Sequence, residues 1–237
     1  MNPGQFILVT LFSMLGATAQ GSIGIGYGMV AGAGLVAIDP QFVPGPLLII
    51  GVIISVRHAV VEREHLDRGI WLRAMLGLPV GLFSGLAVLN AMSDRTLGLS
   101  VGVAIAVASV ALLLGLSVTR NPVLDVVAGG ATAFAAVTAS LPGPPLVVAL
   151  SELRPAPMRA TTSAFLLVLT LVSFVSLSVT GNFGREEYRL LAFLVPGTIL
   201  GLVASRYVRP YLEAAWFRPL ILCIAGIGGV ALVLRNL

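Results

Sequence analysis

The sequence predicts an all-α, polytopic membrane protein built from two repeats of four segments each, and three observations support this. Of the 237 residues, 57% are hydrophobic and only 10% are charged, and the mean hydropathy of +1.02 lies well above that of soluble domains. Charged residues divide the chain into apolar stretches of about 20 residues, the length that spans a bilayer core. Two longer apolar stretches are interrupted, and the interruptions lie 117 positions apart.

Six stretches have the length of a single membrane-spanning helix. Each is apolar over about 20 residues, so we expect each to cross the bilayer once. They cover residues 43–61, 69–90, 96–118, 160–179, 188–207 and 217–235.

The two longer stretches, residues 5–38 and 122–152, do not fit one crossing. As a single helix, the first would be about 50 Å long. It contains QGSIGIGYGMVAGAG, residues 20–34, in which glycine occupies six of 15 positions and disfavours a helix by roughly 1 kcal/mol per residue relative to alanine. The second contains SLPGPP, residues 140–145. Each stretch is predicted as a helix of about 16 residues, a break and a half-helix of about 10.

A shift of 117 residues superimposes the two breaks without a gap and predicts an internal duplication. The boundaries of the two transmembrane repeats are then 1–118 and 119–237, and each repeat opens with a broken helix pair. The shift pairs Gly26 with Gly143, Pro40 with Pro157, Trp71 with Tyr188, and Pro79 with Pro196.

Arginine placement predicts the orientation of the repeats, since cytoplasmic loops are enriched in basic residues. In the first half arginines cluster around the loop near residue 65, and in the second half around the loops near 156 and 212. If both clusters are cytoplasmic, the repeats are inverted and each broken pair is a re-entrant hairpin. A parallel repeat with eight crossings stays open as the alternative.

The breaks are the predicted binding site. Non-helical backbone inside a bilayer lines a cavity or is buried in protein, and paired breaks in two repeats mark the binding site of many transporters. A half-helix beginning near Tyr27 or Gly28 would offer free N–H groups and a positive dipole end, which favours an anion. The prolines of the second break lack that donor. The candidate substrate-binding residues are Gln20, Ser22, Gly24, Gly26, Gly28, Ser140, Gly143, Thr161, Thr162 and Ser163.

Each of these assignments has a purely structural alternative. The glycines could serve close helix packing, and Gln20 and Ser22 could bond neighbouring helices. The hydroxyl groups of residues 161–163 could cap the span that they open. Arg57, one turn inside the end of its span beside His58, either attracts substrate to the cytoplasmic mouth or extends its side chain to the interface.

Other classes of site and function find little support. The run HAVVEREHLD, residues 58–67, holds histidines and acids without metal-ligand spacing, so we expect a solvated loop and neither metal nor cofactor. No nucleophile or acid–base pair lies inside the apolar segments, which argues against an enzyme. The 14 arginines are too scattered for a nucleic-acid partner.

Short motifs along nearly the whole chain resemble the TauE/SafE family of sulfite and organosulfur-anion exporters. Tyr27 stands where that family's motif usually has glycine, and prolines replace the glycines of the second break. The motifs in the first half are GIGYG (24–28), DPQFVP (39–44) and HLDRGIW (65–71), and those in the second are LPGPP (141–145), RPAPMRATTS (154–163) and GNFGREEY (181–188).

The resemblance implies a secondary transporter of the bacterial inner membrane that moves a small anion, such as sulfite or an organosulfonate, outward by alternating access. The lipid bilayer and the small anionic substrate are then its partners. Proton coupling and a homo-oligomeric state stay open. The competing functions are an anion channel or passive facilitator on the same scaffold, and a membrane interaction protein without transport.

Overall fold

The computed structural model describes residues 2–23, 26–61, 63–115, 119, 121–212 and 217–237, which form ten α-helices and two short 3-10 turns. This confirms the all-α class. Five helical stretches are long and apolar enough to cross a membrane, namely Arg68–Asn90, Arg95–Leu113, Pro122–Ala139, Ala156–Val179 and Arg185–Tyr207.

The first half places its break where the sequence predicts it. The first helix ends at Ile23 and the second begins at Tyr27, so the two parts have 21 and 12 residues. The helices Gly45–Val61 and Arg68–Asn90 match the predicted spans to within two residues, whereas the helix that begins at Asp94 ends at Leu113, five residues before the predicted end of its span. The bounds are α1 (Pro3–Ile23), α2 (Tyr27–Ile38), α3 (Gly45–Val61), α4 (Arg68–Asn90) and α5 (Asp94–Leu113).

The second half contains the other predicted break, between Ala139 and Pro144. The half-helix after it has only six residues, fewer than predicted. The following helix begins at Pro155, and both Pro155 and Pro157 lie in its first turn. Proline is tolerated there, since the N–H groups of a first turn have no partner within the helix. The helices are α6 (Pro122–Ala139), α7 (Pro144–Ala149), α8 (Pro155–Val179), α9 (Arg185–Leu212) and α10 (Phe217–Asn236).

The early start of α8 corrects one expectation. Thr161, Thr162 and Ser163 lie beyond its first turn, so the prediction that they cap this helix is wrong. At the start of α4 the helix cap is an acidic side chain, and the Asp67 carboxylate accepts from Ile70 N. Asp39 caps the 3-10 turn Pro40–Phe42, and its carboxylate accepts from Gln41 N at 2.9 Å.

The first broken pair folds back on itself. A Cβ added to Gly16 would lie 3.0 Å from the ring of Tyr27, and one added to Gly34 would lie 2.6 Å from the ring of Phe12. Later residues of α2 thus meet earlier residues of α1, so the two helices are antiparallel. This is the hairpin shape that the inverted arrangement requires.

The first helix of each half packs in parallel against a helix of the other half. Glycines permit backbone contact in both pairs. A Cβ on Gly197 or Gly201 of α9 would lie 2.3 Å from a carbonyl oxygen of α1. A Cβ on Gly77 of α4 would lie 2.0 Å from the Val126 oxygen of α6. Two pairs of helices in direct backbone contact, α1 with α9 and α6 with α4, therefore each combine a helix from one predicted repeat with a helix from the other.

Two pairs of helices at corresponding positions of the two halves, α3 with α8 and α5 with α10, run in opposite directions. The start of α3 at Gly45 contacts Phe183, just beyond the end of α8. Gly98, near the start of α5, contacts Asn236 at the end of α10, and Ser109, further along α5, contacts Gly226 nearer the start of α10. The starts of α2 and α7 are 117 positions apart, as are those of α4 and α9. The division into repeats 1–118 and 119–237 stays a prediction that these directions support.

Candidate functional site

Left-handed backbone geometry marks both helix breaks. Gly26, just before α2, has φ 116°, which an L side chain rarely adopts. Ser140, just after α6, has φ 52° and ψ 34°. Its N–H donates to Ala136 O, and the N–H of Leu141 donates to Ala135 O, so these two carbonyls of the last turn of α6 are satisfied.

The two breaks touch each other through their backbones. A Cβ added to Gly28 would lie 2.2 Å from the Ser140 carbonyl oxygen, a distance that no side chain tolerates. The Ser140 hydroxyl donates to Pro44 O at 2.8 Å, which ties the same point to the start of α3. Breaks that are 117 positions apart in sequence thus meet at one place in the fold.

A cavity of about 30 Å³ lies at this meeting point, enough for one or two water molecules. The described residues that line it are uncharged. The first break, the second break, α3 and α8 each form part of the wall. The lining residues are Gln20, Gly26, Tyr27, Gly28, Met29, Leu47, Leu48, Gly51, Ser55, Ser140, Leu141, Pro142, Gly143, Pro144, Leu166 and Thr170.

Gln20 supplies a polar side chain to the cavity wall. It is only 6% exposed. Its Oε1 accepts from the N–H of Tyr27 at 3.1 Å, while its Nε2 lies 3.5 Å from both Gly51 O and Ser55 Oγ. Contacts at 3.5 Å are at the outer limit of hydrogen bonding. The amide hydrogens are therefore weakly held and could move to a better acceptor.

The electrostatics of the cavity come from helix ends, since no charged side chain is among its lining residues. The N–H groups of the first turn of α2 have no partner within the helix, and the helix dipole is positive there. The first two residues of α7, Pro144 and Pro145, have no N–H. Hydrogen bonding to an anion thus falls mainly to the first break.

The structure brings five predicted site residues together in the cavity wall, namely Gln20, Gly26, Gly28, Ser140 and Gly143. Gly24 and the side chains of Ser22 and Arg57 lie outside the described residues. The hydroxyl residues 161–163 of α8 are buried and are not among the lining residues. Substrate contact by any of these residues stays a prediction.

Thr161 has a clear structural partner. Its Oγ1 accepts from Asp67 N at 3.1 Å, which joins the start of α4 to α8. The Thr162 hydroxyl, 2% exposed, has no hydrogen-bond partner in the described part of the chain. Thr162 precedes the lining residue Leu166 by one helical turn, so the two occupy the same face of α8.

Sequence reasoning missed three polar groups near the cavity. Ser55 and Thr170 line it. Ser55 is the single hydroxyl residue of the span 43–61, a signal that could have identified it, whereas Thr170 is one of seven hydroxyl residues in the span 160–179. The Tyr27 hydroxyl is buried in the α1–α9 contact instead, 2.9 Å from Ser13 Oγ. No sequence signal indicated this contact, because its partner lies 14 residues away on a separate helix.

An ion pair between α4 and α6 was also not predicted. Arg73 Nε donates to Asp125 Oδ2 at 2.8 Å, and the Asp125 side chain is fully buried. An aspartate buried in this way requires a cationic partner. The pair joins two helices that belong to different predicted repeats.

Comparison with known families gives a match over nearly the whole chain. A family model described as Sulfite exporter TauE/SafE matches residues 9–232, a range that includes both breaks and every residue lining the cavity. Neither the curated proteins nor the solved structures contain a match to this chain.

Proposed function

The chain belongs to the sulfite exporter TauE/SafE family, and from that premise we propose that it exports a small anion, such as sulfite or an organosulfonate, by alternating access. Membership and the apolar helices make it a multi-pass membrane protein of an anion-transporter family. The proposal adds the inner membrane as its location, outward transport and a binding site at the two breaks.

One observation carries the site. The two breaks meet in a small cavity that is uncharged and lies against the N-terminal end of α2 and the Gln20 amide. An uncharged pocket with N–H donors stabilises an anion without a buried cation that would retain it. Such weak, reversible binding suits a carrier.

The helix directions support inverted repeats. Asp67 N bonds Thr161 Oγ1, so the arginine-rich loops near residues 65 and 156 are on one face. Arg95 Nε donates to Asn236 O, next to Arg235, on the face where α10 ends. With the arginine-rich face in the cytoplasm, both repeats obey the positive-inside rule with opposite orientations.

Alternating access requires two bodies that move relative to each other. Glycine-mediated backbone contacts join α1 with α9 and α6 with α4 at successive turns, through Gly197 and Gly201 in the first pair and Gly77 and Gly81 in the second. We therefore assign the moving bodies to these pairs. Each body combines a broken hairpin from one repeat with a long helix from the other, and the substrate lies where the two hairpins meet.

Transport assays separate the competing functions. In proteoliposomes, an exporter gives saturable, gradient-dependent flux of sulfite, a channel gives flux without saturation, and an interaction protein gives none. A thermal-shift screen of the purified protein against sulfite, thiosulfate, sulfonates, small carboxylates and halides would identify the preferred anion.

The variant Gly26→Leu tests the binding site. We expect it to remain folded in the membrane and to lose anion binding, because its side chain would occupy a cavity that holds one or two waters. Gly181→Leu is the matched control, since Gly181 also has positive φ, 77°, in a loop with no atom within 4 Å of an added Cβ. Unchanged sulfite binding by folded Gly26→Leu protein would refute the pocket assignment.

A further inference from the structure

The Tyr27 side chain lies between α1 and α9. Tyr27 is the first residue of α2, is 2% exposed, and its ring lies 3.0 Å from where a Cβ on Gly16 would be. Its hydroxyl is 2.9 Å from Ser13 Oγ, at the point where α1 packs against α9. The first residue of the half-helix is thus anchored in a helix contact beside the cavity.

The direction of the Tyr27 hydrogen bond follows from its neighbours. The Ser13 hydroxyl donates to Leu194 O at 2.8 Å, and the Thr198 hydroxyl donates to the same oxygen at 2.9 Å. Because the Ser13 hydrogen is used, the Tyr27 hydroxyl donates to Ser13 Oγ. Removing the Tyr27 hydroxyl leaves the Ser13 hydroxyl with its acceptor, Leu194 O.

Tyr27 is also tied to the cavity wall. Its backbone N–H donates to Gln20 Oε1 at 3.1 Å, and Gln20 Nε2 faces Gly51 and Ser55 across the cavity. The next residue, Gly28, touches the Ser140 carbonyl. Since the preceding Gly26 is a flexible residue in left-handed geometry, the direction of the first turn depends on these contacts of Tyr27.

We propose that Tyr27 is a positioning residue for anion binding, a role that rests on the proposed transport function. Its ring and hydroxyl fix the first turn of α2 against the α1–α9 contact, so the amide end of α2 points at the cavity. Tyr27 thereby sets the affinity for the anion through the backbone, without a side-chain contact to it. Because Thr198 and Leu194 belong to α9, the second half of the chain helps to orient the donor end supplied by the first.

The variant Tyr27→Phe tests this role in the full-length protein in proteoliposomes, with radiolabelled sulfite as the probe. We expect the half-saturating sulfite concentration to rise roughly three- to tenfold, the effect of one lost hydrogen bond, with little change in maximal rate. The melting temperature should stay close to that of wild type, because the Ser13 hydroxyl keeps its acceptor, Leu194 O. Tyr207→Phe removes a hydroxyl from a side chain that is 74% exposed and should change neither quantity.

A double-mutant cycle makes the test specific. Ser13→Ala should raise the half-saturating concentration as Tyr27→Phe does, and the double variant should be no worse than either single one. Three results would each overturn the positioning role alone. Tyr27→Phe could bind sulfite with wild-type affinity, it could have a lower melting temperature with unchanged affinity, or the effects of the two substitutions could be additive in the double variant. Wild-type protein that transports neither sulfite nor methanesulfonate would overturn the export proposal, and the positioning role with it.

Discussion

The two helix breaks occupy corresponding places in the chain and differ in what their backbones can offer a ligand. After the first break, α2 runs for 12 residues from Tyr27, and the amides of its first turn point out of the helix. After the second break, α7 runs for six residues and opens with Pro144 and Pro145, which have no amide hydrogen. The first break therefore offers hydrogen-bond donors to a ligand, while the prolines of the second break contribute only to the shape of the cavity wall.

Backbone conformation differs in the same way. Gly26 and Gly143 are 117 positions apart, yet Gly26 has φ 116° and Gly143 has φ −80°, which any residue adopts. The positions of the breaks are therefore matched between the halves, whereas their chemistry is not. A substrate at their junction would be held unevenly, with its charge toward α2.

The largest expected effect comes from separating the two breaks. In Gly28→Ala the added methyl would lie 2.2 Å from the Ser140 carbonyl oxygen, and backbone on both sides leaves little room to adjust. Overpacking of this kind destabilises by roughly 1–3 kcal/mol. We expect sulfite transport to be lost and the melting temperature to fall.

Gly51→Ala is the control for that experiment. Gly51 lines the same cavity, and no atom lies within 4 Å of an added Cβ. It should fold as wild type and keep most of its transport. If Gly28→Ala transports sulfite as well as Gly51→Ala does, the two breaks do not need their direct contact.

A matched pair of substitutions measures the difference in backbone conformation. Gly26→Ala forces a Cβ into left-handed geometry, which costs about 1–2 kcal/mol, so we expect a lower melting temperature and weaker sulfite binding. Gly143→Ala adds no such strain, because its φ is already −80°. Thermal melting and sulfite titration of both purified variants would test this, and equal losses would contradict the comparison.

The sequence predicted the fold to the extent that hydropathy and helix breakers determine it. The break before Tyr27 and the break after Ala139 follow from glycine and proline, which disfavour helix in any context. The predicted span that begins at residue 160 starts five residues after the observed start of α8 at Pro155, because proline is tolerated in the first turn of a helix. Pairing of α1 with α9 depends on glycine contacts between distant segments, which no local pattern reveals.

The sequence predicted the residues next to the helix breaks better than it predicted the side chains that other helices contribute to the cavity. Gln20, Gly26 and Ser140 flank the breaks in sequence and line the cavity. Thr170 and Ser55 line it from other helices, and their orientation depends on how α3 and α8 rotate about their axes. That rotation is set by tertiary packing, so local sequence could indicate these residues only as polar groups in apolar spans.

The smallest expected effect tests the cause of the asymmetry directly. Pro144→Ala gives the first residue of α7 an amide hydrogen, and alanine is compatible with the helical backbone there. Because Pro144 lines the cavity, the new donor can reach an anion bound beside α2, and one added hydrogen bond should tighten sulfite binding by roughly two- to fivefold. The melting temperature should fall slightly, since proline restricts the unfolded chain by about 0.4–1 kcal/mol. Pro145→Ala adds the same group at a residue outside the cavity wall and should leave affinity unchanged. If Pro144→Ala binds sulfite no more tightly than Pro145→Ala, the missing amide is not what makes the second break the weaker side.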